Sequence, residues 1–392
     1  MTTKSRSWTA RWPWGLVFVL GCAAAYAWRQ PRAPQLPQGV EPQQYQAAND
    51  DFQQRYGRPA SRIEVLSLLA ERAVHDERLP TAVACFREIP STQRVYGPSA
   101  RLQEAQVLLR LNRALEAERS FREFLSLAER NPAMAAPSVA TARKWLLYIL
   151  SVELRLEERK TLLAEIHAQG AADLFDSKQF FFPNLLIFHS TTGRERLAEF
   201  LREAPDDPQL LVAQARYLTM LGKLDESQRL LEPLCQERPN DRTASAALLE
   251  CYFEQNDQDR FRQLARALPA ERDEEPWLLM RMRGQFLLQQ RRWHEAVAQF
   301  QRLLAQDPAN PWANMGLARA YEELQEAPAR DETQRKSLVL SRIRLNLKNV
   351  NDGNVPAIEE LADACDQIDF TDAAAVFRQH AQRFKQAPAA TR

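Results

Sequence analysis

The sequence predicts an all-α protein: a superhelical solenoid of antiparallel helix pairs with an N-terminal transmembrane helix. Three observations carry this. The 392 residues include only 11 glycines and are rich in Ala, Leu, Glu, Gln and Arg, the residues that lose least on entering a helix. Small and aromatic residues recur at a spacing near 35: Ala82 and Ala117 stand 35 apart, and each is followed four residues later by a phenylalanine, Phe86 and Phe121. Finally, the run from Trp12 to Trp28 is uncharged. Lys+Arg 52 against Asp+Glu 51 gives a net charge of +1, so no long-range field draws a polyanion, and nucleic acid is not an expected partner.

Residues 1–11 form a short basic terminus containing Lys4, Arg6 and Arg11. Residues 12–28 follow as a signal-anchor span with Trp12, Trp14, Tyr26 and Trp28 at its two ends, where amphipathic rings favour the headgroup level. Two other readings stay open: Ala25-Tyr26-Ala27 offers a signal-peptidase site, and Val19 to Cys22 resembles a lipoprotein box. The basic residues before the span outnumber Arg29 and Arg32 after it, which places the N-terminus in the cytoplasm and the rest outside it, across a bacterial inner membrane. Residues 29–59 are rich in Pro and Gln and lack an apolar stripe, so they read as an extended linker.

The helical array is expected over 60–348, with pairs beginning near residues 62, 98, 137, 178, 208, 242, 276 and 311. A final degenerate pair occupies 349–385, beginning near 354, and a disordered tail 386–392. The stretch "EAPARDETQR" from Glu326 interrupts the eighth pair. The best-marked unit is "GQFLLQQRRWHEAVAQFQRLLAQDP", Gly284 to Pro308; "LLVAQARYLTMLGKLDESQRLLEPLCQERP", Leu210 to Pro239, follows it with Ser227 where a smaller residue is expected. Small residues let two helices approach, bulky ones fill the gap, and the proline stops the second helix.

This pattern resembles the tetratricopeptide repeat. The resemblance implies a solenoid whose concave face binds a protein or peptide, here of unknown identity, and it implies which side chains face that groove. Counting one position on from Ala215, Leu249, Gly284 and Ala318 selects Arg216, Glu250, Gln285 and Arg319, with Val212, Phe253, Arg281, Met315 and Glu323 at helical spacing beside them. The function so implied is a membrane-tethered interaction scaffold, with a permanent subunit of a membrane-bound enzyme complex as the alternative.

Nothing in the chain points to catalysis, a cofactor or a metal. It lacks a phosphate-binding glycine loop, a Gly-x-Ser-x-Gly elbow and a dinucleotide fingerprint. His294-Glu295 begins a zinc-protease signature, but Ala298 stands where the second histidine would be, so the pair reads as the exposed start of a helix. Cys235 and Cys251 lie close enough in the register for a disulfide, although small buried thiols explain both. In "QFFFPNLLIFH" the phenylalanines 180, 181, 182 and 188 are expected to fill a junction between degenerate repeats; an exposed docking surface is the other reading.

Overall fold

The computed structural model describes residues 35–131, 136–183, 191–271 and 275–386. The expected span at 12–28, Phe188 and the tail after Gln386 lie outside the described residues. Among those described there are nineteen α-helices and no strand, and no helix is long and apolar enough to cross a membrane. The chain divides after Val107 into two compact units.

In the first unit the linker expectation is corrected. Pro42–Tyr56 is a helix, α1. Glu41 and Gln44 form a capping box, Pro42 occupies the first turn where its missing N–H costs nothing, and Gly57 closes the helix at φ 69°. Its only buried side chains are Ala48 and Phe52, too few to mark a stripe. Tertiary contacts supply the rest: Arg72 donates to Asp51 at 2.5 Å, and the Arg58 guanidinium lies 4.9 Å over the Phe52 ring. Helices α2 (Arg62–His75) and α3 (Leu79–Arg87) form the first repeat pair, and α4 (Gly97–Arg110) opens the second.

In the second unit, α5 (Ala114–Glu129) is followed by the pairs α6 (Ala136–Val152) and α7 (Leu156–Ala168), α8 (Leu174–Phe181) and α9 (Thr191–Glu203), and α10 (Pro208–Met220) and α11 (Leu224–Glu237). Then come α12 (Arg242–Glu254) and α13 (Gln258–Ala267), α14 (Trp277–Gln289) and α15 (Trp293–Gln306), α16 (Pro311–Glu323) and α17 (Ala327–Asn346), and α18 (Val355–Asp366) and α19 (Thr371–Gln386). "EAPARDETQR" does not interrupt the eighth pair: Glu326 is the N-cap of α17, and Pro328 falls in its first turn, where proline is tolerated.

The turns within pairs repeat one device. Residues 77, 112, 154, 222, 256, 291, 325 and 369 all have positive φ, between 55° and 72°, and only Gly222 among them is glycine. Each lets the first helix stop and the second start at once.

Packing inside the units follows the small-and-aromatic pattern. Ala215 and Ala296 are fully buried where helices meet. Ser227, standing in for a smaller residue, is also fully buried and keeps its hydroxyl satisfied by donating to the Ala215 carbonyl at 2.9 Å. Phe300 of α15 sits between two glycines: a Cβ built on Gly284 would lie 2.5 Å from the ring, and one on Gly316 closer still.

Contacts within the second unit are not confined to neighbouring repeats. Helices α7 and α8 reach repeats far along the chain. Trp277 donates its backbone N–H to Glu157 at 2.8 Å, and Lys160 donates to the Gln306 carbonyl. Lys178 donates to the Val350 carbonyl at 2.6 Å, and Ser177 hydrogen-bonds His380 at 2.9 Å. Phe181 meets Phe370 edge-on at 5.3 Å, and Phe182, fully buried, stacks on Phe377. Thus Phe181 and Phe182 fill a junction, with the C-terminal helix pair supplying the other side.

Candidate partner-binding cavity

The contacts between α7 and α14–α15 enclose a cavity of about 1130 Å³ in the second unit. One wall is the α6–α7 turn and the exposed flank of α7, including Glu153, Arg155, Glu157, Lys160 and Thr161, with Phe180 of α8. The opposite wall is built from the first turns of α10, α12 and α14, with Arg238 and Gln306 from the ends of α11 and α15. The sequence sets these helix starts locally. Asp207 accepts from the N–H groups of Gln209 and Leu210, and Asp241 from those of Thr243 and Ala244, all at 3.0 Å. Pro276 precedes α14, whose first N–H goes to Glu157.

The cavity has an aromatic corner. The Lys160 ammonium lies 5.6 Å from the Phe180 ring centroid and 5.4 Å from that of Trp277, while the Trp277 indole donates to the Gln306 side chain at 2.9 Å. Burial lowers the Lys160 pKa from its ordinary value, and Asp307 opposes the shift. At the other end Glu153, 3% exposed, accepts from Gln209 at 2.6 Å and from Arg155 at 2.9 Å. Burial still outweighs Arg155 and pushes the Glu153 carboxyl up to about 7. Arg159, behind this wall, is 1% exposed and bonds only weakly to Ser151 and the Pro183 carbonyl, at 3.3 and 3.4 Å. Burial brings its pKa down to about 10.

The side chains selected from the sequence fall in three places. Val212 and Arg216 line the cavity, Arg216 donating to the Leu154 carbonyl at 2.9 Å. Arg281 and Glu250 form a buried ion pair, with the Arg281 guanidinium 4.8 Å over Trp312, and Phe253 packs against Phe261 in the core. Gln285 is half-buried, and Met315, Arg319 and Glu323 are exposed on α14 and α16; none of the four is in the cavity wall. Sequence reasoning missed Glu157, Lys160 and Trp277, and it singled out Phe180 only with its neighbouring phenylalanines, as junction filler or docking surface. Their partners are long-range, Trp277 standing 120 residues from Glu157, and no local pattern marks them.

Elsewhere, His294 is exposed and Glu295 pairs with Arg292, while among the described residues no group of three His, Cys, Asp or Glu side chains could hold a metal. Cys235 and Cys251 are free thiols, the latter donating to the Leu224 carbonyl.

Family models described as tetratricopeptide repeat match residues 212–276 and 287–329. These segments are tetratricopeptide repeats. They cover most of α10, all of α11–α13, the end of α14 and all of α15–α16; of the three helix starts in the opposite wall, that of α12 falls within them. No curated protein matches the sequence. Among solved structures, the human IFIT1 dimer with m7Gppp-AAAA is 14% identical, with a TM-score of 0.37 over 89% of this chain and 96% of that one. A tetratricopeptide repeat protein from Parabacteroides merdae is 17% identical, with a TM-score of 0.32 over 67% and 99%. TM-scores this low carry no argument from either protein to this one.

Proposed function

We propose that this protein is a membrane-tethered interaction scaffold, not itself an enzyme, whose tetratricopeptide repeats receive a segment of a partner protein in the cavity between α7 and α14. The observation that carries the reading is the cavity itself. It is large enough for several side chains, mixes aromatic and charged groups, and is walled by the first turns of successive repeat helices. The tether rests on the uncharged run Trp12 to Trp28 and its aromatic ends, and the basic residues before it favour a repeat array outside the cytoplasm of a bacterium. The test is a photo-crosslinker at Thr161, in the cavity wall, in native membranes. A crosslinked protein partner supports the reading, and crosslinks confined to this chain refute it. Release of the full chain from membranes by alkaline carbonate would refute the tether.

A permanent subunit of a membrane-bound complex is the second reading. It is favoured by Leu338 and Leu345, 73% and 71% exposed and seven residues apart on α17. A partner that stays bound through high salt and is lost in Leu338→Glu with Leu345→Glu would favour it over segment capture.

A further inference from the structure

The first unit exposes its apolar side chains at one end, and the chain enters the unit at that same end. The Gln35 carbonyl accepts from Arg62 at 2.7 Å, and Arg62, which opens α2, also pairs with Glu88 just past the end of α3. Around the same helix start Arg58 pairs with Glu64 at 2.5 Å and lies over Phe52, whose ring meets that of Tyr56 at 4.5 Å. The turn before α4 completes this end. Gln93 accepts from the N–H groups of Val95 and Tyr96, at 2.7 and 2.6 Å. Burial raises the pKa of the Tyr96 phenol, and Glu64, Arg58 and Tyr56 are all close enough to act on it, which puts this turn beside the α1–α2 junction. Tyr56 is 64% exposed and Val95 71%, and among the described residues of the first unit no other large apolar side chain is exposed. Arg94, next to them, is exposed and forms no ion pair among the described residues.

We propose that this end of the first unit rests on the membrane surface, with Tyr56, Val95 and Tyr96 in the headgroup layer and Arg94 at the lipid phosphates. This rests on the tether reading, in which the span ends at Trp28, and adds where the first unit meets the bilayer. Reach is the first reason. Because α1 belongs to the folded unit, residues 29–34 alone separate Trp28 from Gln35, and a chain of that length spans at most about 25 Å. The bond from Arg62 to Gln35 fixes which end of α2 that short connection meets; the other end of this 14-residue helix is about 20 Å away. Chemistry is the second reason. Tyrosine rings favour the boundary between water and lipid, and an arginine beside them can keep its charge among the phosphates while its stem lies on apolar surface. Arg58 and Arg62 are already closed by Glu64 and Glu88, so the attraction is interfacial and not a long-range field. So small a patch would not hold a free domain on a bilayer, but a short tether raises its effective concentration to the point where weak contacts are populated.

The test uses the full chain in vesicles of phosphatidylethanolamine and phosphatidylglycerol that carry a lipid spin-labelled near its headgroup. A fluorescent amino acid replaces Val95 or, as a control at the far end of α2, the exposed His75. Emission from position 95 should be quenched at least about threefold more than that from position 75. Tyr56→Glu with Arg94→Glu, both at exposed positions and so safe for folding, should bring the two positions level. Unequal quenching that survives these substitutions would mean that the tether alone sets the approach, and overturns the role of the patch. Equal quenching at the two positions in a chain that alkaline carbonate does not extract overturns the docking and leaves the tether standing. Extraction by carbonate overturns both. A photo-crosslinker at Val95 in native membranes should capture phospholipid; capture of a protein instead, a second copy of this chain included, overturns the lipid as occupant.

Discussion

Gly316→Ala is expected to destabilise the second unit although alanine is the better helix former. In a solvent-facing helix interior the change would gain about 1 kcal/mol. Here the new Cβ falls inside contact distance of the Phe300 ring, which is fully buried and has no route to solvent. The ring cannot retreat toward α14 either, because Gly284 leaves room for a hydrogen and nothing larger, a Cβ there lying 2.5 Å away. Overpacking of this kind costs about 1–3 kcal/mol, and a ring blocked on both sides belongs at the upper end, so the net loss is about 2 kcal/mol. Urea unfolding of the wild type, Gly316→Ala, Phe300→Leu and the double variant measures the coupling, with hydrogen exchange over Trp293–Tyr321 locating it. With the smaller leucine side chain in place the alanine should become neutral or stabilising, giving a coupling of about 2 kcal/mol or more. Stabilisation by Gly316→Ala alone would refute the clamp.

Ala296→Glu puts a charge at a fully buried contact of α15; a loss of several kcal/mol is expected, and unchanged hydrogen exchange over Gly284–Tyr321 would show the register to be wrong. For Glu153, the folded state holds its proton up to about pH 7, while the unfolded chain releases it near the ordinary carboxylate value. The group therefore lowers stability progressively as pH rises through that window, and Glu153→Gln should gain on the wild type between pH 5 and 8 in urea titrations, by about 3 kcal/mol in the limit. His380 has the opposite dependence. Burial, with Arg383 and His167 nearby, holds its pKa below the ordinary value against the pull of Asp173 and Asp352, so docking of α19 on α8 weakens as pH falls below about 6.5. Hydrogen exchange over Thr371–Gln386 should accelerate on acidification and lose that response in His380→Gln.

The helix pairs were legible because their signal is local. Alanines and phenylalanines such as Ala82 with Phe86 and Ala296 with Phe300 mark where helices must approach and what fills the gap, and all four are buried as that requires. The αL turns were not legible, because Glu77, Asn112, Leu154 and Arg291 share a backbone conformation and no side-chain chemistry. Helix α1 was read as extended chain because only two of its residues are buried, too few for a stripe, and its tie to Arg72 through Asp51 comes from elsewhere in the unit. The cavity was half legible. Val212 and Arg216 follow from the repeat register, whereas the wall made by α7 depends on contacts such as Lys160 with Gln306, 146 residues apart, which no window of sequence can contain.

Those distant contacts also bear on how the second unit is made. A stack whose members touched only their neighbours could fold repeat by repeat as it left the ribosome. Here Phe181 and Phe182 wait for Phe370 and Phe377, and Ser177 waits for His380, so a nascent chain ending before α19 exposes an aromatic surface it cannot yet cover. Closing that contact late carries the loop-closure entropy of about two hundred residues and should make it the slow step of folding, rising only as (3/2)RT ln n or about 4–5 kcal/mol. Truncation before Thr371 would then be felt at α8 in mid-sequence as well as at the new terminus.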